Sequence, residues 1–388
     1  MNKDVLEKSL RLAIEWLTGP GRVADDLPVG PRGKQFHYRH WNGAIRGEYD
    51  FAKKEWDSFC PYWHTGQAVK ALVLASRALK EPRLLDEAKV CAEFLLKNRI
   101  VSGPDAGLPL AYEDFVDQIN TSAVLEALDG LFLLGEACVD NQYTQAALDA
   151  LKWEADHSWL PEKKMFYDSY HPVNRKFQFG NACSTCRPLL DDAVFITGWK
   201  ISGETRFRDI AMATAETLRE NENPSGNWIC YLPCIIATQS IHPRHAYWWG
   251  RPMLTIWRES GNEEYLQLFR RAVRWYANAI RRDGGLFRAT GVDFNTESFG
   301  HASSGSACAA LMFLDMAALD RDEQWLSKAE LCLDFCMKMQ LTHPEDPRMR
   351  GAVIEKVLPP DGTERSPYYL RDLGTTFFIQ AAAEYLLQ

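Results

Sequence analysis

The sequence predicts an all-α protein, an (α/α)6 toroid of twelve helices in six hairpins, with residues 1–388 forming one domain. Three observations lead there. A helix–turn–helix unit recurs along the chain, no stretch shows convincing strand alternation, and the connections alternate between short and long. Length alone would suggest two or three domains. The hairpins and their loops account for all 388 residues instead.

An opening helix is predicted over Lys3–Leu17. Five hairpins follow. They pair Thr65–Leu79 with Leu84–Asn98, Thr121–Cys138 with Tyr143–Asp156, and Ala193–Ile201 with Arg206–Asn221. The last two pair Tyr247–Ser260 with Glu263–Ile280, and Ser303–Leu319 with Glu323–Met339. A final helix over Leu373–Leu387 has no successor, and joined to the opening helix it completes a sixth pair. The second helices are amphipathic, as Leu266, Phe269, Ala272, Val273, Tyr276 and Ile280 show. The first helices are rich in small residues, such as Ser303–Ala310, which suits a crowded centre where backbones approach closely. Closure into a ring is preferred to an open solenoid, because both terminal helices are as apolar as the rest and would need polar caps in an open array.

Connections within a pair are short, for example Glu81–Arg83 and Gly203–Thr205. Those between pairs are long: Phe36–Trp63, Val101–Val116, His157–Pro188, Glu222–Arg244, Asp283–Gly300 and His343–Pro367. In a ring of hairpins all the long loops emerge on one face, and loops of this length are usually functional. They also absorb much of an aromatic excess of 13 Trp, 14 Tyr and 19 Phe; Trp41 and Trp63 both lie in the first of them.

Composition excludes several classes. An apolar content of 46% is too high for disorder, and apolar runs such as Ala71–Ser76 are far shorter than the ~20 residues of a membrane helix. The net charge of −8, without a Lys/Arg block, argues against nucleic acid as the main partner. The start Met1–Glu7 lacks the apolar core of a signal peptide, so a cytoplasmic location is expected. Most of the ten cysteines read as small buried hydrophobes in helices. Cys183-Ser-Thr-Cys186 and Cys230-Tyr-Leu-Pro-Cys234 could form a four-thiolate zinc site, but the second spacing is loose, and no metal or cofactor is expected. Monomer and homodimer remain open.

The first residues of the inner helices converge on the open face. They are His64, Asp117, Asp191 with Asp192, His245 with Trp248, Trp249 and Arg251, His301, and Arg371 with Asp372. A single Asp at a helix start is more often a cap, and a lone His a hydrogen-bonded linker. Repetition at the same place on successive helices favours a site. Six helix N-termini aimed into one funnel favour an anion, aromatic walls suit sugar rings, and Arg251 or Arg371 could grip a carboxylate. Two carboxylates near a sugar are the usual means of glycoside chemistry. Asp117 and Asp191 (or Asp192) form the best pair, and the adjacent charges of Asp191 and Asp192 could raise one pKa, as a general acid needs.

Five segments resemble the unsaturated glucuronyl and unsaturated rhamnogalacturonyl hydrolases. Tyr62-Trp63-His64-Thr65-Gly66-Gln67-Ala68 resembles the start of their first inner helix. Phe115-Val116-Asp117-Gln118-Ile119-Asn120 resembles L-D-x-I-x-P-G, and Leu189-Leu190-Asp191-Asp192-Ala193-Val194-Phe195 resembles W-L-D-G-L-Y-M. Trp249-Gly250-Arg251-Pro252-Met253 is similar to the start of W-G-R-G-x-G-W, and Ser304-Gly305-Ser306-Ala307 to S-G-T-A. The departures are Thr121-Ser122 for the Pro-Gly after the first Asp, Asp192 for the Gly after the second, and Pro252 and Leu254 for two glycines. The resemblance implies an (α/α)6 glycoside hydrolase of an acidic oligosaccharide. Its chemistry is hydration of the double bond of a terminal 4,5-unsaturated uronic acid. Asp191 or Asp192 would be the acid/base, and Asp117 would orient substrate and modulate that pKa. Trp41, Trp63, His64, His245, Trp248, Trp249, Arg251, His301 and Arg371 would line the pocket.

A second resemblance, to the N-acylglucosamine 2-epimerases, rests on Pro243-Arg244-His245-Ala246-Tyr247-Trp248-Trp249 against P-G-H-x-x-E-W, and implies chemistry at His245. No His follows His343 to match that family's C-terminal catalytic His. A non-catalytic sugar-binding toroid is the third reading.

Overall fold

The computed structural model describes residues 1–113, 117–177, 186–296, 298, 300–355 and 369–388. Twelve long helices dominate it. The inner helices are α2 (Pro61–Leu79), α4 (Thr121–Cys138), α6 (Val194–Ser202), the pair α8 (His245–Gly250) and α9 (Met253–Ser260), α11 (Ser303–Asp320) and α13 (Leu373–Leu387). The outer ones are α1 (Lys3–Thr18), α3 (Arg83–Lys97), α5 (Asn141–Trp153), α7 (Thr205–Glu220), α10 (Glu263–Ala279) and α12 (Glu323–Lys338). The fourth inner helix, expected as one piece, is broken around Arg251 and Pro252, because proline has no N–H to continue the ladder.

Sequence and burial agree on which helices are inside. Apart from Asp315, Asp320, Gln380 and Glu384, helices α11 and α13 consist of apolar or small residues and are buried almost throughout. Helix α10 instead buries one stripe, including Leu266, Phe269, Val273 and Tyr276, and exposes Glu and Arg on the other. The ring closes: α13 packs along α2, and α1 covers α13 from outside as its hairpin partner. Amides cross the join. Gln380 Nε2 donates to the Gln67 side chain at 3.0 Å, and Gln67 Nε2 donates to the Glu126 backbone carbonyl at 2.6 Å. One continuous hydrophobic cluster runs from Leu6 on α1 to Tyr385 on α13.

Helices α2, α4, α6, α9 and α11 end in tight turns into their outer partners, which leaves the long loops at the N-terminal ends of the inner helices. These loops carry short antiparallel strands that a sequence reading misses, since two to four residues are too few to show alternation. Strand Gly47–Asp50 pairs with Glu55–Ser58 on one side and with Tyr369–Arg371 on the other, setting Glu48 opposite Arg371. Among the described residues no helix is long and apolar enough to cross a membrane.

Two glycines allow α2 and α4 to approach closely. A Cβ on Gly66 would stand 2.4 Å from the Cα of Ala127, and one on Gly130 would stand 2.2 Å from the carbonyl oxygen of Gly66. Both obstacles are backbone, so no side chain can move aside. Gly66→Ala is therefore expected to lower stability by about 1–3 kcal/mol despite the better helix propensity of alanine. Chemical denaturation measures this, and an unchanged or raised midpoint would contradict so close a contact between α2 and α4.

Candidate active site

A cavity of about 350 Å3 opens among the N-terminal ends of the inner helices. Trp63 enters from the first turn of α2, Ser122 and Glu126 from the first turns of α4, and Asp191 from just before α6. Trp248 and Trp249 come from α8, with His242 and Arg244 from the segment leading into it. Arg187, Arg288 and Arg371 enter from the loops.

Two buried carboxyl groups face this space. Asp191 is 4% exposed and Glu126 is 8% exposed. Burial raises the Asp191 carboxyl to about 7, with the adjacent Asp192 charge adding to the rise. Burial also pushes Glu126 well above the usual carboxylate range, helped by the Asp191 charge. The pair therefore holds a proton near neutrality and titrates as a unit.

The backbone explains why Asp191 and Asp192 diverge. Residues Asp191–Ala193 form a single 3-10 turn, and both Asp192 (φ 48°) and Ala193 (φ 51°) sit in the left-handed region. Such conformations cost about 1–3 kcal/mol each in a non-glycine residue, although Asp tolerates them better than most. Asp191 points to the cavity, while Asp192 turns away to meet Lys70 Nζ at 2.7 Å.

Four guanidinium groups surround the carboxyls, and each has a carboxylate behind it. Arg187 pairs with Asp168 and donates to Ser122 Oγ at 2.9 Å. Arg244 donates to Ser304 Oγ at 2.7 Å, and it shares Glu355 with Arg288, at 3.4 and 3.1 Å. Arg371 reaches Glu48 at 2.8 Å and lies 4.0 Å from the Phe59 ring centroid. The ring of His242 stacks on Trp248 at 4.9 Å, and burial together with Arg244 holds this imidazole neutral.

Among the described residues, six buried polar atoms that line the cavity have no hydrogen-bond partner: Asp191 Oδ2, Glu126 Oε2, Arg187 Nε, Arg244 Nε, Trp63 Nε1 and Trp248 Nε1. Buried polar atoms are normally satisfied, so six around one cavity point to a polar ligand.

Of the residues singled out in the sequence, Asp191, Trp63, Trp248, Trp249 and Arg371 line this cavity. The others lie elsewhere. Asp117 is half-exposed and faces His171 Nε2 at 3.3 Å, while Phe115 and Val116 of its segment are outside the described residues. Trp41 is buried against Tyr38 and Phe94. His64 is fully buried and paired with Asp372 at 2.6 Å. His245 lies beneath Trp249, its Nδ1 3.1 Å from Asn227 Oδ1 and 3.3 Å from Cys234 Sγ. His301 Nδ1 is 3.0 Å from Arg281. Asp192 and Arg251 line a different cavity. Cys183 of the possible thiolate set is outside the described residues, and Cys186, Cys230 and Cys234 carry no disulfide.

Glu126, Arg187, Arg244, Arg288 and His242 escaped the sequence reading. Glu126 had a usable signal, a charged residue early in a helix otherwise apolar or small through its first eight residues. Arg244 stood in view as a mismatch to an epimerase glycine. Arg187 and Arg288 lie in long loops without periodicity, where no local pattern points inward.

A raised carboxyl pKa makes folding less favourable once the group must ionise. The cost is absent below the unfolded value near 4 and grows as pH rises to about 7. Asp191→Asn is thus expected to be more stable than the native chain at pH 8, by up to a few kcal/mol, with the gain shrinking toward pH 4. Thermal melts across that range test it, and a gain independent of pH would contradict the buried, raised carboxyl.

No family model and no curated protein matches the sequence. Solved structures do match. The chain is similar to an unsaturated glucuronyl hydrolase specific for heparin, with a TM-score of 0.69 at 14% identity over 99% of this chain and 97% of that one. It is as similar to a sugar epimerase from a ruminal bacterium (TM-score 0.70, 13% identity, 100% and 99% covered). The same holds for cellobiose 2-epimerase from Bacillus thermoamylovorans B4167 (TM-score 0.68, 13% identity, 100% of both chains). Likeness at this identity establishes the fold: the chain is an (α/α)6 toroid of the kind seen in unsaturated glucuronyl hydrolases and sugar epimerases.

Proposed function

We propose that the protein is a glycoside hydrolase of acidic oligosaccharides that hydrates the double bond of a terminal 4,5-unsaturated uronic acid. The observation that carries this reading is the pairing of two proton-holding carboxyls, Asp191 and Glu126, with four arginines and three tryptophans around one cavity. The arginines suit the carboxylate of a uronic acid, the indoles suit sugar faces, and a carboxyl near pH 7 can donate a proton.

In a vinyl ether the ring oxygen feeds the double bond. Proton addition at the carbon remote from that oxygen leaves an oxocarbenium ion at the carbon bearing it. Asp191 supplies the proton, and its carboxylate then takes one from the water that adds to the cation. The resulting hemiketal opens and releases the next sugar. Glu126, which burial holds above the usual carboxylate range, is a second proton-holding group of the same cavity. The nearby solved structures named for unsaturated glucuronyl hydrolysis are in keeping with this chemistry.

The test uses lyase-generated disaccharides, whose ultraviolet absorbance disappears on hydration. Asp191→Asn is expected to lower kcat by about 100-fold or more, while Asp117→Asn and His64→Gln stay within about 3-fold on kcat/KM unless they disturb the fold. Since the proton donor must be in its acid form, native activity is expected to fall as pH rises through about 7. Full activity of Asp191→Asn would overturn the assignment.

His242 favours a second reading, epimerisation or isomerisation of a sugar, because a neutral imidazole lines the cavity beside Trp248. In that case lyase products keep their absorbance, a reducing sugar equilibrates with its epimer or ketose, and His242→Ala abolishes the exchange. Binding of acidic disaccharides without either turnover would mark a sugar-binding toroid instead.

A further inference from the structure

A second cavity, of about 270 Å3, lies among the later turns of the inner helices. Lys70 of α2 lines it and is only 4% exposed. Its ammonium meets Asp192 Oδ1 at 2.7 Å and Asp129 Oδ2 at 2.9 Å. The neighbouring cation, Arg251, is engaged elsewhere, by Asp315 at 2.7 Å and Glu384 at 2.8 Å. Lys70 is therefore the cation directly bonded to Asp192, and Arg251 is held by its own two carboxylates.

Asp192 is also the residue that turns the chain between the two cavities. Its backbone and that of Ala193 are both left-handed, and the turn contains no glycine. Two local backbone bonds support it, Ala193 N–H to Leu190 C=O at 2.9 Å and Val194 N–H to Asp191 C=O. A strained turn of this kind persists only where its surroundings over-determine it. Here the long-range tie is the ion pair that runs from α2 to Asp192.

We propose that Lys70 is a positioning residue: by pairing with Asp192 it holds the left-handed turn Asp191–Ala193, and so keeps the Asp191 carboxyl in the neighbouring cavity. The catalytic part of this inference rests on the function proposed above; the structural part does not. The titratable groups that interact with Asp192 include Lys70, Asp129, Tyr247, Cys308 and Asp191, with Arg251 beside Lys70 and Asp129, and those around Asp191 include Asp192, Arg187, Asp168 and Glu126. Without Lys70, Asp192 and Asp129 become two neighbouring carboxylates with no cation between them. Rotation of Asp192 out of the turn relieves both the repulsion and the backbone strain, and it carries Asp191 with it.

The test compares Lys70→Met, Lys70→Arg and the double variant Lys70→Met/Asp192→Gly with the native protein. Methionine fills much of the lysine volume, arginine keeps the charge, and glycine accepts the left-handed conformation with no carboxylate to strand. Crystal structures are expected to show residues 192 and 193 leaving the left-handed region in Lys70→Met, and keeping it in the other two. On lyase-generated disaccharides, Lys70→Met is expected to lose about 100-fold in kcat with little change in KM, as a displaced catalytic group does. Lys70→Arg and the double variant should recover at least about tenfold of that loss. A lysine that merely fills space would give no rescue by the double variant. An unmoved turn and Asp191 in Lys70→Met overturn the proposal whatever the enzyme does. If the native protein hydrates no unsaturated uronide, the proposed function fails, and the crystal structures still decide the role of Lys70.

Discussion

Closure of the inner ring is the constraint on which the rest depends. Helix α13 must lie against α2, and α1 must come round to cover α13, before the apolar flanks of either are buried. The Gln380–Gln67–Glu126 amide relay and the bare backbones of Gly66 and Gly130 are the local means of drawing the helices together. Once the ring is closed, all six inner helices point the same way. Their N-termini, with the long loops, then form one face with a field that favours anions, and their later turns form the other.

That polarity sorts the charged residues. On the N-terminal side, guanidinium groups gather, and buried carboxylates of Asp168, Glu355 and Glu48 fix their directions without filling the cavity. The acidic groups that reach the cavity, Asp191 and Glu126, are raised by burial, with the charge of Asp192 adding to the first and that of Asp191 to the second. On the other side, Asp129, Asp192, Asp315 and Glu384 surround Lys70 and Arg251. The turn at Asp191–Ala193 is the point where the chain passes from one set to the other. A net charge of −8 thus coexists with a local surplus of arginine where an acidic sugar would bind.

The fold was readable because it is written in long, repeated patterns. Small residues at every position of Ser303–Ala310 mark an inner helix, and the stripe of Glu263–Ala279 marks an outer one. The short strands were not readable, because a pairing such as Glu48 with Arg371 joins loops 323 residues apart. The site was legible in part, for the same reason. Asp191, Trp63, Trp248 and Trp249 sit at helix starts, where an N-terminal position already says which face they share. His64, Asp117, His245 and His301 also sit near helix starts, but direction within a turn separates them from the cavity, and spacing along the chain does not encode it. The arginines come from loops whose paths are set by distant carboxylates. The split between Asp191 and Asp192 depends on two positive φ angles that no periodicity reveals.

Asp191 stands as a buried acid raised to about 7, facing the cavity for which we propose an acidic sugar. Carboxyl-carbon NMR of aspartate-labelled protein, with the Asp191 signal assigned by Asp191→Asn, measures this most directly. The account predicts a titration at about 7 and a displaced signal when an unsaturated uronyl disaccharide is added. A titration near the ordinary value of about 4, indifferent to that disaccharide, would contradict it.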